Sequence, residues 1–173
     1  MALAIRSRVR GFGIGLLIYA GFMLYNNPIR LHQTAHSGGL TMQVPSNWTP
    51  MKSTGNYVPV SLRREWAPFL PSGSVMLMDQ SVFDSKDGRT WTMEAARKAQ
   101  ASLVALRGKV ANYSNTTSFD LKAGDRTAVC VESTLDGRSH SLACPIVGTP
   151  LQFSFLGSRF AEPDAERMLA SLN

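Results

Sequence analysis

The second half of the chain is a regular succession of short strand-like segments separated by glycine turns, and this pattern restricts the fold more than any other feature. Candidate strands lie at residues 113–121, 126–135, 139–146 and 151–157. The turns between them are marked by Gly124-Asp125, Asp136-Gly137 and Gly148-Thr149-Pro150. Glycine and aspartate at such positions favour tight hairpins, and consecutive hairpins build antiparallel sheet. We therefore predict an antiparallel meander.

Two helices are predicted beside this meander. The first is Met93–Arg107, which follows a possible N-cap at Thr92 and precedes Gly108. Its 3–4-residue spacing predicts one apolar face, made of Met93, Ala96, Ala99, Leu103 and Leu106. The second helix closes the chain, with Pro163 in its first turn and an apolar stripe of Ala165, Met168, Leu169 and Leu172.

The first half contributes further strand segments, at 40–44, within 57–62, at 74–78 and at 81–83. Together these patterns predict an α+β fold in which an antiparallel sheet is packed by a central helix and a C-terminal helix. One N-terminal transmembrane helix is expected to precede this domain.

That transmembrane helix is predicted from residues 11–25, which carry no charged side chain and follow Arg6, Arg8 and Arg10. A spanning helix needs roughly 17–20 apolar residues, so the segment is short, and a cleaved signal peptide or a mitochondrial presequence stays an alternative. The missing small-x-small cleavage pattern favours a retained anchor. The arginines place the N-terminus in the cytoplasm and the domain in the periplasm, at the inner membrane.

The expected organisation has four parts: a basic cytoplasmic N-terminus at 1–10, an anchor at 11–27, a linker at 28–39 and an extracytoplasmic domain at 40–173. Charge follows this division. Residues 1–64 contain seven of the 18 Lys and Arg and no Asp or Glu, whereas residues 65–173 set the other eleven against all 12 acidic residues. Because the domain is nearly neutral and lacks a basic cluster, no nucleic-acid partner is predicted.

Near the start of the domain, an apolar strand runs into the corner Val44-Pro45-Ser46-Asn47-Trp48. With the central helix, the meander and the closing helix, this corner resembles the PsbP-like family of small extracytoplasmic domains, which includes the bacterial DcrB-like proteins. The chain departs from the lipoprotein members in having no lipobox cysteine after its apolar segment. The resemblance implies a membrane-associated binding or assembly role without catalysis, and it carries over no catalytic residues.

Cys130 and Cys144 are the only cysteines, and they flank the Asp136-Gly137 turn. A three-residue loop, Asp136-Gly137-Arg138, would place them directly opposite each other, whereas a two-residue loop would put them one step out of register. In an oxidising compartment we expect a Cys130–Cys144 disulfide. Two buried thiols are the alternative.

The sequence contains no nucleophile elbow or phosphate-binding loop, and His32 and His36, although four residues apart, have no Cys, Asp or Glu nearby to complete a metal site. No catalytic residue, cofactor or metal site is therefore predicted, and the chain is not expected to be an enzyme. His32 and His36 are interpreted as a solvated linker pair. His140, next to the hairpin turn, is expected to be exposed.

The segment 56–71 has the composition most typical of a recognition surface, because aromatic and arginine side chains interleave there. Its candidate partner-binding residues are Tyr57, Arg63, Arg64, Trp66 and Phe69. The alternative is that the aromatics fill one end of the core while the arginines are solvated. The sequence thus favours an anchored periplasmic domain that acts as an accessory subunit or assembly factor of an envelope complex. An extracytoplasmic domain that binds a small molecule or a metal, remotely a hydrolase, is the second hypothesis.

Overall fold

The computed structural model describes residues 15, 17–19, 21, 33–37, 39–45, 47–52, 58, 60–64, 72–82 and 90–173. Within these residues the strands are β1 (Gln33–Ser37), β2 (Leu40–Val44), β3 (Thr49–Pro50), β4 (Val60–Arg64), β5 (Gly73–Asp79), β6 (Tyr113–Ala123), β7 (Arg126–Leu135), β8 (Ser139–Pro145) and β9 (Leu151–Ser158). The helices are α1 (Met93–Arg107), α2 (Glu162–Ala170) and a 3-10 turn, Gln80–Val82. The predicted α+β class of the domain is confirmed.

The main sheet has seven antiparallel strands in the order β3-β4-β5-β9-β8-β7-β6. The predicted meander is confirmed as β6–β9, and β9 then pairs with β5 from the first half of the chain. β1 and β2 form a separate hairpin. Two strand predictions were inaccurate. The strand placed within 57–62 is observed at Val60–Arg64. Residues 81 and 82 of the predicted 81–83 strand belong instead to the 3-10 turn Gln80–Val82, where the Asp79 carboxylate accepts from the Ser81 backbone N–H.

The N-terminal predictions fall mostly on residues outside the described part. Gly15, residues 17–19 and Gly21 are helical, and no helix among the described residues has the length and apolar content needed to cross a membrane. The anchor at 11–27 and its orientation therefore stay predictions. Within the segment interpreted as a linker, residues 33–37 form β1, because their backbone groups pair with β2 in register from Gln33–Val44 to Ser37–Leu40.

The hydrophobic core lies on one face of the main sheet. A row of paired side chains crosses six strands on that face, and its members are Val60, Leu77, Phe153, Cys144, Cys130 and Phe119. β2, Trp48 and α2 cover the row. Trp48 is fully buried after the tight corner in which its N–H donates to the carbonyl of Pro45. The corner identified in the sequence therefore drives a large aromatic side chain into the core.

The central helix covers the opposite face of the sheet, over β6 and β7, and the predicted apolar face of this helix is confirmed only in part: Ala96 is buried and Ala99 and Leu103 are half-buried, whereas Met93 and Leu106 are exposed. Its buried residues are Ala96, Gln100 and Arg107, while Met93 is 38% exposed and Leu106 61% exposed. The reason is the surface beneath it. Gln100 donates to the carbonyls of Val129 (2.7 Å) and Ala143 (2.6 Å), so a polar stripe satisfies buried backbone groups that an apolar stripe would leave unpaired.

The end of the chain is fastened to the beginning of the domain. The backbone N–H of Thr41 donates to the carbonyl of Asn173 at 2.8 Å, and the Asn173 N–H donates back to Thr41 at 3.0 Å. The turn between β6 and β7 binds the C-terminal segment as well, since the N–H of Gly124 donates to the carbonyl of Ala170. Gly124 has φ +62° and packs directly on the carbonyl of Leu172, so a side chain there has neither space nor a relaxed backbone.

Candidate functional site

The β7–β8 hairpin carries the disulfide that the sequence predicted. Leu135 pairs with Ser139 and Val131 with Ala143, so the loop has three residues and the register is the one that opposes Cys130 and Cys144. Asp136 and Gly137 both have positive φ, at 52° and 65°. The two sulfurs lie 2.12 Å apart and the Cα atoms 4.2 Å apart, and both cysteines are fully buried. The predicted pairing is confirmed at disulfide distance.

Between the two cysteines, the same hairpin contributes two side chains to a cluster of ionisable groups. The Nδ1 of His140 lies 3.0 Å from Oε1 of Glu132 and 3.0 Å from Oε2 of Glu162. The side chains are partly buried, with exposures of 17% for His140, 31% for Glu132 and 14% for Glu162. We call Glu132, His140 and Glu162 the carboxylate–imidazole cluster.

The sheet register explains why these groups meet. Glu132 pairs with Leu142, so it is the diagonal neighbour of His140 on the same face of adjacent strands, within reach of a long side chain. On the other side of His140 the paired residue is Gly157 of β9, which has no side chain. Glu162 begins α2, whose first turn lies over this part of the sheet. The positive end of that helix dipole stabilises a carboxylate at this position.

The electrostatics of the cluster are dominated by carboxylates. Burial raises the pKa of Glu162 above its ordinary value, and the negative charges of Glu132 and Glu166 raise it further. His140 acts in the opposite direction, by its charge and by its hydrogen bond. When His140 is protonated, it bridges the two carboxylates with a single Nδ1–H, so the three-residue cluster still carries one excess negative charge.

The expectation that His140 is exposed was wrong, because its side chain is only 17% exposed and its Nδ1 contacts both carboxylates. Glu132 could have been found from sequence, since the three-residue loop that aligns Cys130 with Cys144 also places Glu132 diagonal to His140. Glu162 gave no such signal, because its position depends on how α2 docks on the sheet.

The residues predicted to bind a partner differ in their surroundings where the structure describes them. Tyr57, Trp66 and Phe69 lie outside the described residues, and their role stays a prediction. Arg63 is exposed on β4. Arg64 is only 2% exposed, and its guanidinium lies 3.0 Å from Oδ2 of Asp164.

The Asp164 carboxylate also links the sheet to the Trp48 corner, because the Trp48 indole N–H donates to the same oxygen at 3.3 Å. Asp164 belongs to α2, Arg64 to β4 and Trp48 to the chain between β2 and β3. Arg64 is therefore engaged in the interior of the domain, neither solvated nor presented to a partner.

A second buried arginine holds the end of α1. Arg107 donates from Nη1 to the Ser133 hydroxyl at 2.9 Å and from Nη2 to the Ser141 hydroxyl at 3.0 Å, and its guanidinium lies 5.0 Å from the centre of the Tyr113 ring. Burial lowers the pKa of Arg107. No carboxylate of the described chain forms an ion pair with Arg107, so hydroxyls and an aromatic face solvate its charge.

Comparison with solved structures finds chains of similar fold. The chain is similar to the solution structure of cyanobacterial PsbP from Synechocystis sp. PCC 6803, with a TM-score of 0.48 and 13% sequence identity, over 84% of this chain and 93% of that one. The likeness extends to the fold at most. No family model matches the chain, and no curated protein does.

Proposed function

We propose that this chain is an extracytoplasmic accessory domain that works by binding another component of the cell envelope, held at the inner membrane by residues 11–27. The observation that carries the proposal is the buried cysteine pair. Disulfides form and persist in oxidising compartments and are rare in the cytosol. The chain has two cysteines, and both lie in the core at disulfide distance.

The N-terminal sequence supports the same location. An uncharged stretch preceded by three arginines is typical of an N-terminal anchor with a cytoplasmic start. Protease treatment of intact spheroplasts tests the topology. We expect the domain to be digested from outside while a tag placed before Arg6 stays protected. Protection of the whole chain, with free thiols after rapid alkylation, would contradict an extracytoplasmic domain.

A binding role is supported by the exposed part of the recognition-like segment. Arg63 projects from β4, near one edge of the main sheet, next to the candidate residues Tyr57, Trp66 and Phe69 in sequence. Arginine and aromatic side chains supply much of the binding energy at protein interfaces.

Cross-linking followed by purification in mild detergent tests the accessory role. Arg63→Ala alters the proposed surface, and Lys122→Ala is its matched control, because Lys122 is an exposed cation on β6 at the opposite edge of the sheet. We expect a specific cross-linked partner that is weakened by Arg63→Ala and kept by Lys122→Ala. A chain that stays monomeric in both, or a partner lost equally in both, would refute the proposed surface.

A ligand-binding domain is the second candidate function. The carboxylate–imidazole cluster favours it, since it gathers three side chains capable of holding a cation on a partly open surface.

A further inference from the structure

We propose that Glu132, His140 and Glu162 form a binding site for one divalent transition-metal ion of the Zn²⁺ class. The inference does not depend on which envelope component the domain binds. It rests on the identity of the three groups, on the distances between their ligand atoms and on the charge around them.

The donor set matches this class of ion. One imidazole nitrogen with two carboxylate oxygens is a mixed nitrogen–oxygen set, and such sets suit zinc and neighbouring transition metals better than calcium or magnesium. Each side chain comes from a different element, namely β7, β8 and the first turn of α2. The three ligands therefore converge from a rigid hairpin and a docked helix, which fixes their positions without metal.

The distances fit an ion shared by the three groups. Ligand atoms about 2.1 Å from a common metal lie about 3.0 Å apart at a right angle and about 3.4 Å apart in a tetrahedron. His140 Nδ1 is 3.0 Å from one oxygen of each glutamate. All three ligand atoms lie within 4.8 Å of one another. Closing the remaining oxygen–oxygen edge requires a movement of at most about 1–2 Å, which small side-chain rotations provide.

The local charge favours binding of a cation. With His140 neutral, the two carboxylates leave a charge of −2, and Glu166 adds negative potential nearby. The ion binds the Nδ1 lone pair of the neutral ring, whose single proton is then carried by Nε2 instead of Nδ1, and three metal–ligand bonds replace the two hydrogen bonds that Nδ1 makes with the carboxylates. The partial exposure of all three side chains leaves room for water to complete the coordination sphere.

Metal titration of the full-length protein tests the site. The protein is purified in mild detergent without a polyhistidine tag, stripped with EDTA and titrated with ZnCl₂ by calorimetry, while CoCl₂ reports coordination by visible absorption. We expect one Zn²⁺ per chain, a rise in melting temperature and a cobalt spectrum of low coordination number.

Matched variants locate the binding. The chain has three histidines, so His140→Gln is compared with the double variant His32→Gln/His36→Gln, and Glu162→Gln is compared with Glu94→Gln, which alters an exposed carboxylate in the first turn of α1, on the other face of the sheet. Loss of a group outside the ligand set already costs metal sites about 10- to 100-fold in affinity, so we expect at least about 100-fold weaker binding in His140→Gln and Glu162→Gln. The other two variants should bind as the wild type does.

Glu132→Gln, the most exposed of the three ligands, keeps the test decisive if another variant does not fold, as judged by circular dichroism in EDTA. Absence of Zn²⁺ binding in the folded wild type would overturn the proposal. Unchanged binding in the folded ligand variants, or loss of binding only in His32→Gln/His36→Gln, would overturn it equally.

Discussion

Reduction of the Cys130–Cys144 bridge should lower the free energy of unfolding by an amount that the structure allows us to estimate. The two cysteines are 14 residues apart in sequence, and both sulfurs are buried in the central row of the core. Closing a loop of about 15 residues removes roughly 3 kcal/mol of chain entropy from the unfolded state. Since native contacts around both sulfurs persist when the bond is cut, the folded state should change little. The lower free energy of unfolding should come mainly from the conformational entropy that the unfolded chain gains.

The assay is urea denaturation of oxidised protein against protein refolded in dithiothreitol. With an m-value of about 2 kcal/mol/M, a loss of roughly 3 kcal/mol moves the midpoint down by about 1.5 M. For a domain of this size the melting temperature should fall by about 10 °C. Because the chain has no third cysteine, the reductant acts on this bridge alone.

The double variant Cys130→Ala/Cys144→Ala is the control, and its midpoint should not respond to dithiothreitol. A difference below about 0.3 M between oxidised and reduced wild type would refute the reasoning. It would mean that the unfolded reduced chain retains the β7–β8 hairpin, so that the bond removes little freedom.

Three further predictions follow from local geometry and charge. Gly124→Ala should destabilise the domain more than Gly137→Ala, although both glycines have positive φ, because only at Gly124 does the new methyl group meet the Leu172 carbonyl; equal urea midpoints would contradict this. Thr92→Ala should cost about 1 kcal/mol, since the Thr92 hydroxyl accepts from the Ala95 N–H at 3.1 Å, while Thr92→Ser should keep most of that stability in the same assay. The pKa of Glu162 is raised in the folded state, so the stability linked to its protonation is fully present below the ordinary value of 4.5 and is lost as pH rises through the folded value. The free energy of unfolding of the wild type should therefore fall relative to that of Glu162→Gln as pH rises from 4 to 7 in EDTA. A rise of the wild type relative to the variant would contradict a raised pKa of Glu162.

The hairpins, the cysteine pairing and the bounds of α1 could be predicted from sequence because their determinants are local, whereas the choice between a two-residue and a three-residue loop required the structure. Turn residues and strand alternation act over a few positions, and the loop Asp136-Gly137-Arg138 fixed the partner of every residue along the β7–β8 hairpin. Thr92 identifies the start of α1 for the same reason, since its hydroxyl caps a backbone group only three residues away.

The burial of individual side chains was harder to predict, because it depends on the surface against which a helix or strand packs in the folded domain. The apolar spacing of α1 suggested that Leu106 faces the sheet, but Gln100 and Arg107 satisfy carbonyls and hydroxyls that only the assembled sheet presents. Arg64 lies in a segment whose composition is typical of an interface. Its burial could not be predicted, because its ion-pair partner Asp164 lies 100 positions later in the sequence. The carboxylate–imidazole cluster combines both cases: Glu132 follows from the hairpin register, whereas Glu162 requires the docking of α2.

The reciprocal hydrogen bonds between Thr41 and Asn173 have a consequence for the order in which the domain folds. A chain delivered from its N-terminus presents β2 early, whereas α2, which completes its surroundings, follows only after the β6–β9 meander. Until α2 is in place, β2 pairs with β1 alone, and the Trp48 indole N–H lacks its acceptor, the carboxylate of Asp164. Closure of the core is thus a late event that joins both ends of the domain. Until that contact forms, the apolar side chains of β2 and Trp48 lack the α2 residues that share their core in the folded domain, and exposed apolar surface of this kind is prone to aggregation.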